Sequence, residues 1–572
     1  MKARRTRPQT PLYRWRGLFL LGVLGALGIV LVARAVDLQL VEYTFLSGQG
    51  NARFTRIVTI PAHRGVITDR YGEPLAVSTP VDSVWVNPKQ IMQNPARVTR
   101  LAQALGLNPA TVLHDISANL SLDFLYVARQ LPPPRALAIK ALGIPGVYLA
   151  REYRRYYPAG EVTGQLIGFT NINDQGQDGL ELEYNSWLTG IDGEKRVIED
   201  RYGRIVQDVD SIRPARPGHN LVLSIDMRIQ YLAYRALKAQ VEAQRASSGS
   251  MVVIDVDTGE VLAMVNQPAF NPNDRSQLLP QRYRNRAITD TLEPGSSIKP
   301  LFIAAALMSG QYNRRSIINT SPGYIKVDGH IFRDETDLGP IGIYTVLAKS
   351  SNVGMAHISL SLPPSLIWRT LHRFGIGQNV AGGYPGESPG VLLPYKDWHP
   401  IRIVTMSHGY GLSVTTLQLA HAYATLGALG VERPISFLRV NTPPAGRRIV
   451  PAKLCGELLQ LMRGVVRPGG TAPSGNIPGY TVAGKTGTSW EADDGSYREH
   501  HFNAVFAGVA PSTAPRLAAV VVLRDPRAGL YYGGDVSAPV FAKVIGQALR
   551  LMGVAPDKPL PAAQTLQVAS LQ

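Results

Sequence analysis

Three short motifs in the C-terminal half of this 572-residue chain carry residue types whose spacing suits nucleophilic chemistry. In EPGSSIKP (293–300), Ser296 stands at a predicted helix start: Pro294-Gly295 breaks the preceding chain, the apolar run LFIAAALM (301–308) follows, and Pro300 fits only an opening turn. Lys299 lies three residues on and shares the face of Ser296. A serine hydroxyl is a poor nucleophile until a base takes its proton, and a lysine whose pKa is lowered by burial and a positive field can be that base. The helix N-terminus adds positive partial charge where an oxyanion would develop. KSSNVG (349–354) supplies a hydroxyl at Ser350 and an amide at Asn352, suited to relaying a proton and gripping a substrate amide. GKTGTS (484–489) follows the strand-like YTVA. It offers Lys485 and Thr486 to a carboxylate, Gly487 to an approaching substrate backbone, and the Thr488 N–H to an oxyanion. Alone, each motif is as consistent with a helix start, a loop cap or a surface turn. In this order, with spacings of 54 and 135 residues, they form a serine–lysine acyltransferase set.

The elements that must position these residues are legible around them. LVLSID (221–226) reads as a strand ending in a helix cap at Asp226, and MRIQYLAYRALKAQVEAQRA (227–246) as a long amphipathic helix. MVVIDV and VLAMVN flank DTGE (257–260) as a β-hairpin, and HFNAVFAGVAP and RLAAVVVLRDP form a second strand pair. SAPVFAKVIGQALRLM (537–552) closes the region as a helix, with Ser537 as N-cap and Pro539 in its first turn. The pattern predicts an α+β domain, an antiparallel sheet packed by its N- and C-terminal helices. Upstream, residues 61–212 are mixed and irregular, with a strand-like SVWVNP (83–88) and helical patches around 97–117 and 134–142. Residues 37–60 read as a short helical extension leading into a strand, and the Pro- and Arg-rich IRPARPGHN (212–220) marks a boundary. The last 20 residues read as a loose tail.

Hydrophobic residues at 45% and charged residues at 18% exclude disordered and fibrous classes. The single cysteine, Cys455, excludes an intramolecular disulfide and a Cys-rich zinc or iron–sulfur site. Eleven histidines without an HExxH pattern suggest no metal site. Residues 1–16 hold six basic and no acidic residues, and Gly17–Ala33 is an uncharged, mostly apolar run whose character resumes through Val36. A helix needs about 20 residues to cross the ~30 Å hydrocarbon core, which this run achieves if Arg34 snorkels. Ala33-Arg34-Ala35 has the form of a cleavage site, but the run exceeds the ~7–15 residues of a signal h-region, so an uncleaved anchor is favoured. The basic flank keeps the N-terminus cytoplasmic. Of the +17 net charge, +11 is then spread over 556 residues with no basic helix with interleaved aromatics and no nucleic-acid motif, which argues against DNA binding and suits either an anionic envelope or a generally solvated surface.

The chain resembles a class B penicillin-binding protein from its anchor to its final helix. RGVITDRYGEPLA (64–76) resembles that family's N-terminal RGxIxDRxGxxLA box; YYPAG…GQLIGFTN (156–171) and GLELEYNSWLTGIDGEKR (179–196) resemble its later pedestal boxes. KSSNVGM, GYGLSVTTLQLAHAYATLG (409–427) and YYGGDVSAPVF (531–541) resemble the division-specific transpeptidases of Gram-negative-type bacteria within the class. The resemblance implies a cytoplasmic tail (1–16), a transmembrane anchor (17–36), a pedestal of the dimerisation type (37–212), a linker (213–220), a serine β-lactamase-like transpeptidase domain (221–552) and a flexible tail (553–572). It implies that Ser296 attacks the penultimate D-alanine of a peptidoglycan stem peptide, that Lys299 takes its proton, and that the Ser296 and Thr488 amides hold the oxyanion. Ser350 would relay a proton to the leaving D-alanine, Asn352 would hold the acyl side, and Lys485 and Thr486 would bind the donor carboxylate, with Gly487 and Thr488 lining the cleft. Tyr531 and Tyr532 would form an aromatic wall or pack in the core. An amine of a neighbouring stem closes the cross-link, β-lactams trap the acyl-enzyme, and no cofactor is needed. Implied partners are division-complex membrane proteins, including the lipid-linked glycan polymerase; the implied place is the inner membrane, single-pass, with the catalytic domain periplasmic. An elongation-type transpeptidase, a hydrolysing β-lactamase or carboxypeptidase, and a penicillin-binding scaffold or sensor are the alternatives. Ser351 at the centre of the middle motif, where β-lactamases carry Asp, argues against the second of these.

Overall fold

The computed structural model describes residues 14–43, 55–199, 205–493 and 496–559. The chain divides into two compact units, Met1–Ala62 with Asp82–Glu152 and Ile191–Arg216, and His63–Val81 with Tyr153–Gly190 and Pro217–Gln572.

In the first unit, α1 (Arg14–Val36) is apolar on every face and continues as a π-turn over Asp37–Val41, together long and apolar enough to cross a membrane. Arg34 pairs with Asp37 and, at 3.7 Å, with Glu42, so two carboxylates meet the charge at the end of the span. β1 (Thr55–Ile60) forms an antiparallel sheet with two later strands. The helical patch expected over 97–117 is two helices, α2 (Pro95–Leu105) and α3 (Pro109–Ala118). Gly106, with φ 71°, ends the first, and Asn108 with Pro109 starts the second. Their apolar faces, Val98, Leu101, Val112 and Ile116, bury against Val84 and Val86. β2 (Gly193–Glu199) and β3 (Ile205–Arg213) complete the sheet in the order β1-β2-β3.

The second unit is built on α4 (Met227–Ala243), β4 (Ser248–Asp255), β5 (Val261–Gln267), α5 (Lys299–Met308), α6 (Asn352–Leu360), α7 (Thr416–Gly427), β6 (Ala483–Asp493), β7 (Ser496–Ala510), β8 (Leu517–Arg524) and α8 (Ala538–Leu551). Its five strands pair antiparallel in the order β5-β4-β8-β7-β6. Successive residues of β8 go to opposite faces: Leu517, Ala519, Val521 and Leu523 join α4 and α8, while Ala518, Val520 and Val522 join α7. A sheet covered on both faces needs apolar residues at both parities, which is why RLAAVVVLRDP is a continuous run rather than an alternating one. α5 is apolar all round and sits at the centre of this second unit, with every residue from Lys299 to Leu307 buried.

The expected strand at 221–226 forms only over Leu221–Val222, parallel to Ile67–Thr68, with a single antiparallel bridge from Leu223 to Leu438 beyond it. Asp226 does cap α4, accepting from the Arg228 N–H at 3.0 Å. Ser537 does not cap α8 with its side chain: its hydroxyl donates to Ala504 O at 2.9 Å instead. Residues 553–559, read as the start of a loose tail, are tied down; Tyr480 donates to Val554 O at 2.6 Å, and Asp557 accepts from Thr481 and Thr513. The rest of that tail, and residues 1–13, lie outside the described residues. The span 37–212 expected as a pedestal is shared between the units. Its 64–76 and 179–196 boxes meet in the second unit through a buried triad in which Arg64 Nε donates to Glu181 Oε2 at 2.7 Å and Arg155 Nε, just ahead of the 156–171 box, to Glu181 Oε1 at 2.6 Å.

Candidate active site

Ser296 lies in a 3₁₀ turn, Gly295–Ile298, and the α-helix begins only at Lys299, three residues later than the sequence suggested. Gly295 takes φ 53°, and its N–H donates to Gly409 O at 3.2 Å, so the chain reaches Ser296 already turned. The turn is held from behind: Ser297 donates to Pro294 O at 2.6 Å, and the buried Tyr423 hydroxyl donates to Ser297 O at 2.8 Å. Ser296 itself is partly exposed, and neither its hydroxyl nor its N–H has a hydrogen-bond partner among the described residues. An unengaged hydroxyl beside an unengaged amide is what a nucleophile with its own oxyanion donor requires.

Lys299 is fully buried on the first turn of α5. Its Nζ lies 2.6 Å from Ser350 O, 2.9 Å from Asn352 Oδ1, and 3.3 Å from both Ser351 O and Ser350 Oγ. Ser350 adopts φ 57°, which turns its carbonyl and hydroxyl toward the same ammonium; a non-glycine residue in that conformation carries strain of order 1–3 kcal/mol, typical of functional sites. The next residue, Ser351, caps α6 by accepting from the Gly354 N–H at 2.9 Å. It donates in turn to Asp334 Oδ2 at 2.6 Å, while Asp334 Oδ1 accepts the Asn352 N–H and, at 3.1 Å, the Val353 N–H. A carboxylate therefore sits on the α6 N-terminus and fixes the loop that carries Ser350 and Asn352. From the other side, His408 Nε2 lies 3.0 Å from Asn352 O. Burial and the Lys299 charge pull this imidazole down to about 3, so it is neutral and donates from Nε2.

Lys485 reaches the same point from β6. Its Nζ donates to Ser350 Oγ at 2.9 Å and lies 3.2 Å from Thr486 O; the side chain is fully buried. Two buried ammonium groups thus meet at one hydroxyl. Burial pulls Lys299 down to about 7, with Asp334 opposing the shift, and burial plus the Lys299 charge drive Lys485 well below its ordinary value. Two like charges this close disfavour double protonation, and Asp334 with the carbonyl acceptors favours the charged form at Lys299 over Lys485.

Gly487 is required by packing: a Cβ there would stand 2.3 Å from Pro294 O, so the backbone that approaches it is that of the turn carrying Ser296. The same contact sets Gly295 against the Thr488 backbone, where a Cβ would lie 2.9 Å from Thr488 O, and so brings Ser296 and Thr488 into adjacent segments. Thr486 Oγ1 lies 2.9 Å from Thr471 Oγ1, and Thr488 Oγ1 accepts from the Gly533 N–H at 3.3 Å. That bond ties the motif strand to Tyr531 and Tyr532. Tyr531 stacks on Phe502 with centroids 4.3 Å apart, Phe502 meets Trp490 at 5.0 Å, and Tyr532 is half exposed. The two tyrosines thus form part of an aromatic row continuing through Phe502 to Trp490. Asp334, His408, Thr471, Phe502 and Trp490 were not anticipated.

Residues 249–546 match the penicillin binding protein transpeptidase domain, and residues 59–223 the penicillin-binding protein dimerisation domain. The chain is 42% identical to the peptidoglycan D,D-transpeptidase FtsI of Escherichia coli, over 97% of this chain and 95% of that protein. It is 40% identical to the probable peptidoglycan D,D-transpeptidase PenA of Neisseria meningitidis, over 95% and 94%. Among solved structures, penicillin binding protein 3 of Mycobacterium tuberculosis, complexed with aztreonam, has 25% identity and a TM-score of 0.68, covering 88% of this chain and 99% of that one. A domain match spanning both halves of the chain and this near-complete overlap lead to one assignment: the chain belongs to the penicillin-binding protein transpeptidases that carry a dimerisation domain ahead of the catalytic one.

Proposed function

We propose that this single-pass inner-membrane protein is a serine-type peptidoglycan D,D-transpeptidase that cross-links stem peptides during septal wall synthesis. The observation that carries the reading is the meeting of two buried lysines at Ser350, beside a nucleophile turn whose serine is unengaged. In the resting site the shared proton stays on Lys299. A donor's terminal carboxylate arriving at Lys485 and Thr486 favours the charged form of Lys485, and Ser350 is the bridge through which the proton passes. Lys299, now neutral, takes the proton of Ser296. The Ser296 oxygen bonds to the carbonyl carbon of the penultimate D-alanine, the amides of Ser296 and Thr488 hold the oxyanion, and Asn352 holds the acyl side. As the C–N bond breaks, the proton returns through Ser350 to the leaving D-alanine. An acceptor amine then reverses the sequence and forms the new amide.

The topology that fits has residues 1–16 in the cytoplasm and the catalytic unit in the periplasm, with the glycan polymerase of division as a membrane partner. We keep 37–212, 213–220 and 221–552 as the pedestal, linker and transpeptidase spans in the sense of that topology.

Intact-mass analysis of the protein incubated with benzylpenicillin tests the reading. One persistent adduct is expected in the wild type and none in Ser296→Ala; hydrolysed penicillin without an adduct would replace the transpeptidase reading with a β-lactamase one. Asp334→Asn tests the support of the middle motif. It removes the carboxylate that opposes the depression of the Lys299 pKa, so the midpoint of the acylation–pH profile moves below 7 and the rate falls about 10–100-fold, the loss of one or two charge-assisted hydrogen bonds. An unchanged midpoint and rate would remove Asp334 from the mechanism.

A further inference from the structure

Three ligand-type side chains converge where β6, β7 and the end of β8 run side by side: Glu491, His501 and Asp525. Each offers one ligand atom, and the three atoms lie within 4.8 Å of one another. His501 Nδ1 stands 2.8 Å from Asp525 Oδ1, yet it is buried and has no hydrogen-bond partner. At that distance the two atoms form an ion pair whenever the imidazole is protonated, and a cation competes with that proton for the same nitrogen. Around zinc, bonds of about 2.0–2.2 Å set neighbouring ligand atoms about 3.3 Å apart, so the 2.8 Å pair opens slightly and the wider separations close as the ion binds. A second unsatisfied acceptor lies two residues along the same face of β7: Asn503 is 3% exposed, and its Oδ1 is buried without a donor. A buried oxygen that the protein does not satisfy is a group that a cation can satisfy.

We propose that Glu491, His501 and Asp525, with Asn503 beside them, form a divalent metal site of the zinc type, separate from the acyl-transfer residues, that fastens the β6–β7 pair to the end of β8. One imidazole and two carboxylates form a borderline donor set that fits zinc better than calcium or magnesium. Two guanidinium groups oppose it. Arg527 pairs with Asp525 Oδ2 and is more than half exposed, so it can turn outward; Arg524 is half-buried and donates to Thr291 O at 2.7 Å. Asp525 keeps Oδ1 for the metal while Oδ2 retains Arg527. Their charges set the affinity below that of a closed structural site. Nothing in the chain order announces the site, because its ligands come from three strands and match no metal motif.

The test uses full-length protein in detergent, stripped with a chelator and titrated with zinc chloride, with bound zinc counted by elemental analysis and melting followed in parallel. One zinc per chain and a zinc-dependent rise in melting temperature are expected. His501→Ala and Glu491→Gln, each melted without zinc to establish folding, should bind at least roughly tenfold more weakly, the loss that even an outer-sphere partner produces. No retained zinc, or equal binding in both variants, would overturn the proposal, the latter placing the metal on other histidines. Should His501→Ala fail to fold, Glu491→Gln decides. Penicillin acylation is read separately and does not bear on the outcome.

Discussion

Lys299→Met is expected to lower the rate of acylation by benzylpenicillin about 10³-fold while leaving the protein folded. Methionine fills the fully buried space of the lysine stem without an ammonium to desolvate, so packing is kept while the base is lost. A thousandfold corresponds to about 4 kcal/mol of transition-state stabilisation, within the range attributed to a positioned general base. The pH profile supplies the second readout. Burial holds Lys299 near 7, so the wild-type rate climbs with pH below that midpoint and levels above it, as the neutral amine becomes the resting form. Stopped-flow acylation at a series of pH values checks both features. A variant retaining the wild-type midpoint would show that another group titrates, with Lys485 the first alternative.

The second large effect is on stability. Glu181 is fully buried between Arg64 and Arg155, each at most 2% exposed. Arg64 is further saturated by Asn185 Oδ1 and Thr189 Oγ1, both at 2.9 Å, and by Glu181 O. Glu181→Leu leaves two guanidinium groups buried without their counter-charge and should cost about 3–5 kcal/mol. Replacing all three members with apolar residues removes the charges together and should cost far less, because desolvation and attraction nearly cancel in such a cluster. Thermal melting of the single and triple variants distinguishes this from a simple packing defect, which would make the triple variant worse than the single.

The meeting of the three motifs was legible because each is local and packs its candidate atoms into a few consecutive residues. The supports were not legible, because they are contributed from afar. Asp334 acts on Ser351, Asn352 and Val353 from 17–19 residues upstream, and His408 on Asn352 from 56 residues downstream. Each is an ordinary residue in its own segment and becomes specific only when the fold closes. The sheet was readable where both of its faces are apolar, as in β4 and β8. The start of α5 was misjudged because Gly295 imposes a tighter turn before the helix, and Ser537 because its acceptor, Ala504 O, lies in a strand that periodicity cannot associate with it. In the 64–76 box, nothing local marks Arg64 for burial; that depends on Glu181, 117 residues away.

That separation has a temporal consequence. Arg70 pairs with Glu260 and its carbonyl accepts from Arg439, across 190 and 369 residues. Loop-closure entropy rises so slowly with length that spanning the longer distance adds only about 1 kcal/mol over a 117-residue loop. Delay is the larger burden. At roughly 5–20 residues per second, Arg70 waits tens of seconds after synthesis for its last partner, while Ile67 and Leu75, buried in the finished unit, have little to cover them. Lesions in the 64–76 segment should therefore appear as reduced yield of folded protein, and molecules that survive should acylate at the normal rate.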